Sequence, residues 1–320
     1  MLKKLALLIG INYQNSIAPL KGCINDVKGI TKLLVEKFQF SISDIQILLE
    51  EAATRQNILN SLDYLISELK SGDIGVLAFH GHGTQVADEP PIDEEDILDE
   101  VIVPYDGIND KKVLYENVIR DDEIQERLVK LQQNVSFTFI FDSCHSGTIT
   151  RDITGATRSV PPSVSVSEIK QLISGLTTSR SLPKEHPLSV GNYYLLTACK
   201  AEQQAKDDMT NGYFTAELLK YMEPGITYEQ LKEKVIPAVK ERSFNQQEPQ
   251  FDVPNLSLPI FGSQSNLSRG MDQVLKIFGV DILPTDINLE SDGTVEIKNS
   301  NLFNLVKQLK EKKIKDLFNA

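Results

Sequence analysis

Two short polar strings hold the residues most suited to chemistry, and each comes directly after an apolar, strand-like run. The first is His-Gly-His-Gly at 80–83, and the second is Asp-Ser-Cys-His-Ser-Gly at 142–147. In an open α/β sheet, reactive side chains collect where parallel strands end at their carboxyl edge. A histidine at one strand end and a cysteine at another make the pair that a thiol nucleophile needs, because an ordinary thiol is mostly protonated at neutral pH.

Cys144 is the candidate nucleophile, and His82 is the candidate base that holds the thiolate and protonates the leaving amine. The polar neighbours of Cys144 distinguish it from Cys199, which is interpreted as a small buried hydrophobe. The backbone N–H groups of Gly83 and Cys144 are the candidate donors to an oxyanion. The residues alone leave a structural and a catalytic role for Cys144 equally open.

A zinc site is the rival use of the same residues. His80 and His82, together with Cys144 and His145, supply four ligands of the types that zinc prefers. Neighbouring residues of a strand point to opposite faces, however, so Cys144 and His145 are poor joint ligands. The thiol pair is therefore favoured over zinc.

Strand and helix patterns alternate along the chain. Strands are predicted at 5–11, 45–49, 75–79, 137–141, 193–198 and 256–261, and helices at 27–38, 54–69, 124–131, 214–222 and from 227 onwards. Such alternation predicts an α/β fold, with a mostly parallel sheet of about six strands and helices on both faces.

Composition excludes several classes of protein. The net charge of -12 argues against nucleic acid as a partner, because the phosphates would be repelled. Three cysteines in 320 residues cannot form a disulfide framework, which favours a reducing, cytoplasmic location. No apolar run approaches the roughly 18 residues of a membrane span. The apolar start at 5–11 lacks a small-residue cleavage site and is interpreted as the first buried strand.

Two segments differ from the rest of the chain. Residues 151–186 are rich in Ser, Thr and Pro, which predicts a flexible linker. Residues 264–320 are predicted to form a separate, small α+β appendage, with a hairpin over 287–297 and an amphipathic helix over 302–317. The sequence does not indicate what this appendage does.

Taken together, these strings resemble those of the caspase-like cysteine peptidases, most closely the metacaspases and their prokaryotic relatives (orthocaspases). The resemblance covers residues 1–263 and includes Gly-Cys-x-Asn-Asp at 22–26, Asp-Glu-Val-Ile at 99–102 and Leu-Thr-Ala-Cys at 196–199. It implies a caspase-like three-layer sandwich. The start of the first strand close to residue 1 is typical of the prokaryotic forms.

By this resemblance, residues 1–150 are a large-subunit region and residues 187–263 a small-subunit region, on either side of the linker. His82 and Cys144 are the implied catalytic dyad. The implied enzyme is a cysteine endopeptidase acting on proteins and peptides, and family members tend to be monomeric. The alternative is a catalytically silent module that keeps the fold, although the presence of both dyad residues counts against it.

The resemblance also implies a substrate pocket. Asp26 and Asp142 stand where metacaspases form the pocket for the residue before the cut, near Cys23. Two carboxylates there favour Arg or Lys, since a guanidinium can pair with them bidentately. An aspartate-specific enzyme needs arginines in this pocket, and the motifs contain none. His80 replaces the usual serine of the family and is expected to reshape the substrate cleft.

Calcium is the one cofactor that the resemblance implies, as an activator, since the thiol chemistry itself requires none. In calcium-activated metacaspases the ion is bound by aspartates at the positions of Asp99, Asp121 and Asp122, and Asp152 matches a fourth only with a one-residue shift. Eight carboxylates between 88 and 100 suit a hard cation, although a solvated acidic face is the alternative.

The linker carries basic residues that the enzyme itself could cut. A peptidase that prefers Arg or Lys, with such residues on a flexible segment, predicts limited self-cleavage between 151 and 186. The candidates are Arg151, Arg158, Arg180 and Lys184.

Overall fold

The structure, a computed structural model, describes residues 2–87, 98–143, 156–162, 193–200, 203–262, 287–289 and 295–297. The strands are β1 (Lys4–Gly10), β2 (Ile45–Leu49), β3 (Ile74–His80), β4 (Gly83–Ala87), β5 (Leu98–Ile102), β6 (Ile119–Arg120), β7 (Ser136–Asp142), β8 (Ala156–Thr157), β9 (Tyr193–Thr197), β10 (Lys206–Asp207), β11 (Gln250–Asp252), β12 (Ile287–Leu289) and β13 (Val295–Ile297). The α-helices are α1 (Cys23–Glu36), α2 (Arg55–Glu68), α3 (Asp121–Leu128), α4 (Tyr213–Tyr221) and α5 (Tyr228–Arg242). Single 3-10 turns lie at Ile42–Asp44, Glu50–Ala52, Tyr105–Gly107, Tyr115–Asn117 and Ile260–Gly262.

The central sheet has six strands in the order β11-β9-β7-β3-β1-β2. Strands β2, β1, β3, β7 and β9 are parallel, and β11 pairs antiparallel with β9 at one edge. The predicted α/β fold with a mostly parallel sheet is therefore confirmed.

The sheet lies between two helical layers because successive residues of a strand point to opposite faces. Within β1, Leu5, Leu7 and Ile9 pack with the buried residues of α2 and α3, whereas Ala6 and Leu8 pack with α1, α4 and α5. Nearly all of β3 and β7 is buried, as expected of strands covered on both faces.

Side-chain caps start two of the helices. The side chain of Thr54 accepts a hydrogen bond from Asn57 N at the beginning of α2. Thr227 and Gln230 form a capping box at α5, each side chain satisfying a backbone N–H of the other residue. These caps fix where each helix begins.

The predicted last strand at 256–261 is wrong. The strand that pairs with β9 is β11, which lies a few residues earlier, and the chain then turns into the 3-10 segment Ile260–Gly262. Pro259 has no N–H to give to a sheet. Phe261 has a φ of 54° and is buried, with its ring 5.0 Å from that of Phe38. The apolar residues of this run pack under the helices rather than extend the sheet.

A second, antiparallel sheet of β4, β5 and β6 was not predicted. It follows β3 directly, so the short break at 81–82 separates the central sheet from the start of β4. Because His82 lies in this break, the two sheets together fix its backbone: Val103 N donates to the His82 carbonyl at 2.9 Å.

The chain divides into two compact units, Met1–Ser263 and Gln264–Ala320. In the second unit β12 and β13 pair antiparallel, which confirms the predicted hairpin strands. The predicted turn at 291–293 and the predicted helix at 302–317 lie outside the described residues. In the part of the chain that is described, no helix has the length and apolar character needed to cross a membrane.

Candidate active site

The site forms at the carboxyl edge of the central sheet. The register pairs Gly10 with His80 and His80 with Asp142, so β1, β3 and β7 end side by side. This edge is where ligand sites of open parallel sheets form. The first turn of α1 adds Asp26, which is fully buried beside His80 and Asp142.

A buried arginine fills the space between these acids. The Nη2 atom of Arg158 lies 2.5 Å from Asp26 Oδ2, and its Nη1 atom lies 3.2 Å from Asp142 Oδ2 and 3.1 Å from the Asp142 carbonyl oxygen. All three side chains have 0% exposure. The sequence predicts an acidic pocket here, and the structure places a guanidinium from the predicted linker inside it.

Further hydrogen bonds hold the two predicted pocket acids in place. Asp26 accepts from Asn211 Nδ2 at 2.7 Å and from Gly212 N at 3.2 Å, and Asp142 accepts from the Thr215 hydroxyl and from Thr215 N near the start of α4. Burial raises the pKa of both carboxyls, and the Arg158 guanidinium opposes this rise. Without a cation in the pocket, the two carboxylates would still carry the cost of burial but would have no opposite charge beside them. The pocket therefore favours a cationic occupant.

Sequence reasoning missed two parts of the pocket. Asp207 of β10 supplies a third buried carboxylate, 2.9 Å from Arg158 Nη2. Gly212 leaves room for the guanidinium, since a Cβ at this position would lie 2.2 Å from Asp142 Oδ2 and 2.7 Å from Arg158 Cζ. The only local signal was a mostly polar run over 207–212 that ends in glycine, which indicates a turn but not what it contacts.

The backbone around Arg158 is held as an extended strand. Strand β8 pairs antiparallel with β10, and Arg158 N donates to the Ala205 carbonyl at 3.0 Å. On the other side, Gly83 N donates to the Arg158 carbonyl at 3.1 Å, and Val160 N donates to the Gly83 carbonyl at 3.2 Å. Residues 156–162, inside the predicted flexible linker, are thus bound between β10 and β4.

The candidate base lies beside this carbonyl. His82 Nε2 contacts the Ala18 carbonyl oxygen at 2.6 Å, and because a carbonyl only accepts, the ring proton belongs on Nε2. The Nδ1 atom is left as the basic atom, buried and without a hydrogen-bond partner among the described residues. Burial lowers the pKa of His82 to about 4, against the opposing effect of the Ala18 and Arg158 carbonyls.

Tyr13 fixes the position of His82. The Tyr13 hydroxyl accepts from His82 N at 3.1 Å and donates to the Val103 carbonyl, and the two rings lie 4.8 Å apart. The imidazole is therefore held between a backbone acceptor and an aromatic ring. Sequence reasoning did not single out Tyr13 or Ala18.

His80 and Cys23 are the other two predicted pocket residues that the structure describes. The His80 Nδ1 atom contacts the Thr215 hydroxyl at 3.2 Å and lies 3.7 Å from Asp26 Oδ2, and burial lowers its pKa to about 3. Cys23 is fully buried one turn before Val27, and burial raises the pKa of its thiol far above the ordinary value. The imidazole of His80 beside the pocket acids and the buried thiol of Cys23 are therefore both neutral.

Several predicted site residues lie outside the described residues, among them the candidate nucleophile. Cys144 comes two residues after Asp142, the last residue of β7, which brings the chain to the same edge of the sheet as His82. The remaining residues in this group are His145, Arg151, Asp152, Arg180 and Lys184.

The calcium candidates sit apart from the pocket. Asp99 on β5 is buried and forms an ion pair with Arg120 Nη1, and Asp121 Oδ1 accepts from Asp122 N at 3.0 Å at the start of α3. Their carboxylates are ligands of the type that calcium prefers. The structure nevertheless shows Asp99 neutralised by a guanidinium.

Metal-ligand atoms converge elsewhere in the described chain. The acid and histidine atoms that lie within 4.8 Å of one another belong to Asp26, His80 and Asp142. The guanidinium of Arg158 lies against the carboxylates of Asp26 and Asp142, so a guanidinium and not a metal ion occupies the space between these side chains. His80 and His82 make separate contacts, with Thr215 and Ala18, and the other two zinc candidates, Cys144 and His145, lie outside the described residues.

Fold and site together define a caspase-like α/β domain. The family described as "metacaspase, peptidase C14 domain" matches residues 4–152, a little under half of the chain, and this segment is similar to that family. Similar chains include Metacaspase-1A of Neurospora crassa, 40% identical over 154 residues (46% of this chain and 32% of that protein), and Metacaspase-4 of Arabidopsis thaliana, 39% identical over 149 residues (45% and 34%).

One solved structure extends the likeness beyond the matched segment. Protein GSU0716 from Geobacter sulfurreducens is 25% identical, with a TM-score of 0.56, and covers 82% of this chain and 98% of its own. The chain spans about a third of the length of the curated relatives that it matches.

Proposed function

We propose that this protein is a cysteine endopeptidase that hydrolyses peptide bonds after Arg or Lys. The observation that carries the proposal is the placement of Arg158. Its side chain fills a pocket of buried carboxylates while its carbonyl accepts a hydrogen bond from Gly83 N, next to His82. A substrate whose basic side chain enters this pocket would present its carbonyl carbon at the same place.

The chemistry follows from this arrangement and from Cys144 as nucleophile. His82 Nδ1 takes the thiol proton, and the thiolate forms a bond to the carbonyl carbon. Gly83 N–H, and the N–H of Cys144 as a second donor, stabilise the negative oxygen. The C–N bond then breaks, the imidazolium returns its proton to the leaving amine, and water hydrolyses the thioester by the reverse sequence.

We further propose self-cleavage at the Arg158–Ser159 bond. Of the four candidates in the linker, Arg158 is the one that the structure describes. Its N–H pairs with Ala205, its carbonyl pairs with Gly83, and Thr84 and Tyr115 donate to the Pro161 carbonyl downstream. These contacts hold the chain on both sides of the bond, as a bound peptide substrate would be held.

Calcium activation is a separate proposal. Asp99, Asp121 and Asp122 would hold the ion, and the guanidinium of Arg120 would have to leave Asp99 for this to happen. Binding can be measured without catalysis, by calorimetric titration of calcium into the Cys144→Ala protein. Asp99→Asn should abolish the heat of binding, and an unchanged titration would exclude this site.

The protein is proposed to act as a monomer in a reducing, cytoplasmic compartment. Cys23 is a free, buried thiol in the described part of the chain, which agrees with a site that needs a reduced cysteine. Size-exclusion chromatography with light scattering tests the oligomeric state, and imaging of a tagged protein in its source cells tests the location.

The decisive experiment compares matched fluorogenic peptides that end in Arg, Lys or Asp before the reporter group. Cleavage of the Arg and Lys peptides, lost in Cys144→Ala, is expected. Intact mass and N-terminal sequencing of the active protein should show a new chain that begins at Ser159. Absence of all cleavage, with and without calcium, would instead support a catalytically silent module, and cleavage after Asp would mean that Arg158 lines an acid-binding pocket.

A further inference from the structure

Asp207 is a pocket residue with contacts of its own. Its Oδ2 atom accepts from Gly22 N at 3.0 Å and lies 2.9 Å from Arg158 Nη2, while its Oδ1 atom accepts from Met209 N at 2.6 Å. The side chain has 0% exposure. Two backbone donors thus hold this carboxylate with one oxygen facing the guanidinium.

The contacts divide between the two ends of the guanidinium fork. Nη1 faces Asp142, and Nη2 faces both Asp26 and Asp207. Counted in bonds from Cα, the single nitrogen of a lysine corresponds to Cζ of an arginine, and the Nη atoms extend one bond further. A lysine side chain in the same place therefore stops short of the atoms that Asp207 contacts, and it lacks the fork.

Asp207 also links the side chain to the substrate backbone. It lies on β10, where it pairs with Ala156, two residues before Arg158. A peptide that pairs with β10 in this register delivers its basic side chain to the Asp207 carboxylate. Recognition of the main chain and recognition of the guanidinium are thus made by the same short strand.

We infer that Asp207, the third carboxylate of the pocket, is a specificity-determining residue that adds to the selection of Arg over Lys. The inference rests on the proposed function, because it concerns the same pocket, but it can be tested by binding alone. A carboxylate that touches only Nη2 contributes to binding of an arginine and little to binding of a lysine. Loss of one charge-assisted hydrogen bond corresponds to a loss of affinity of about tenfold or more.

The test uses full-length protein with Cys144→Ala, to prevent cleavage, and Arg158→Gln, to vacate the pocket. Two labelled peptides are titrated by fluorescence anisotropy, identical except for Arg or Lys as the residue before the cut. The Arg peptide should bind at least tenfold more tightly. Adding Asp207→Asn should reduce this preference by weakening binding of the Arg peptide about tenfold, with binding of the Lys peptide changed less than about threefold.

Asp63→Asn is the matched control, because Asp63 pairs with Arg127, away from the pocket. It should leave the preference unchanged. If Asp207→Asn does not fold, Asp207→Glu keeps the charge but moves the carboxylate by one bond, and it too should reduce the preference. An equal loss for both peptides, or no preference in the parent protein, overturns the inference, whereas preserved binding without any cleavage by the Cys144 protein overturns only the proposed function.

Discussion

Replacing Arg158 by Gln should expose the pocket to external peptides. In the structure the Arg158 side chain occupies the space between Asp26, Asp142 and Asp207. A peptide with its own arginine must therefore compete with Arg158 before it can bind. Arg158→Gln removes the competing charge and keeps a polar side chain at this position.

The size of the effect follows from the three carboxylates that Arg158 engages. Three charge-assisted interactions at about 1.5 kcal/mol each give about 4–5 kcal/mol, and ordering the long side chain costs about 1.5–2 kcal/mol. The difference, about 3 kcal/mol, means that the pocket is occupied by Arg158 about a hundred times more often than it is free. The apparent affinity for an external peptide is reduced by the same factor. Arg158→Gln should therefore strengthen peptide binding about a hundredfold.

The assay is anisotropy of a labelled peptide that ends in Arg, with Cys144→Ala in every protein so that the chain stays intact. Arg55→Gln is the control, because Arg55 pairs with Glu123, away from the pocket, and its replacement should leave peptide affinity unchanged. Equal affinities with and without Arg158 would refute the reasoning. So would unfolding of the Arg158→Gln protein in a thermal melt, because this would make Arg158 a structural ion pair rather than a replaceable occupant.

Three further predictions concern the same pocket. Asp26→Asn should lower kcat/KM for an Arg peptide about 10- to 100-fold without changing the rate at which a small thiol reagent labels Cys144. An equal decrease in kcat/KM and in the labelling rate would instead indicate a damaged fold. His80→Ser should make the fold less sensitive to acid. Burial lowers the pKa of His80 from 6.5 to about 3, so the free energy of unfolding decreases as pH falls below 6.5, by about 2 kcal/mol at pH 5. Urea unfolding should show that the decrease between neutral pH and pH 5 is smaller by about this amount in the variant. Gly212→Ala should raise KM for Arg peptides at least tenfold at unchanged charge, because its Cβ would lie 2.7 Å from the Cζ of the bound arginine, and an unchanged KM would contradict the pocket geometry.

The order and type of the main elements could be predicted from local patterns. Apolar runs such as 137–141 and helical spacing such as 54–69 depend on neighbours in sequence, and both match the structure closely. The run at 256–261 failed because burial under helices and burial in a sheet leave the same apolar signature. The missing N–H of Pro259 is the one local feature that argues against a strand here. It becomes informative only when the structure shows that β11 pairs with β9 at the edge of the sheet.

The pocket was partly predictable for a different reason. Asp26 and Asp142 lie inside motif strings, and a strand end or helix start fixes their positions locally. Asp207 and Gly212 lie more than 60 residues from Asp142 in a polar turn, and nothing local indicates that this turn meets β7. Arg158 was predicted as a cleavage candidate by its charge, but that it fills the acidic pocket depends on pairing between β8 and β10.

The contacts of Arg158 distinguish a bound substrate-like segment from an ordinary buried ion pair. A structural arginine needs only its carboxylates, and a core ion pair is rarely more stable than apolar packing. Here the main chain is engaged as well: Arg158 N pairs with Ala205, and its carbonyl faces Gly83 N beside the basic Nδ1 of His82. Stability alone does not require a peptide carbonyl to be held by an N–H donor next to a buried histidine, whereas the proposed cleavage uses both. The side chain, the carbonyl and the histidine are therefore the three features on which the proposed cleavage of the Arg158–Ser159 bond rests.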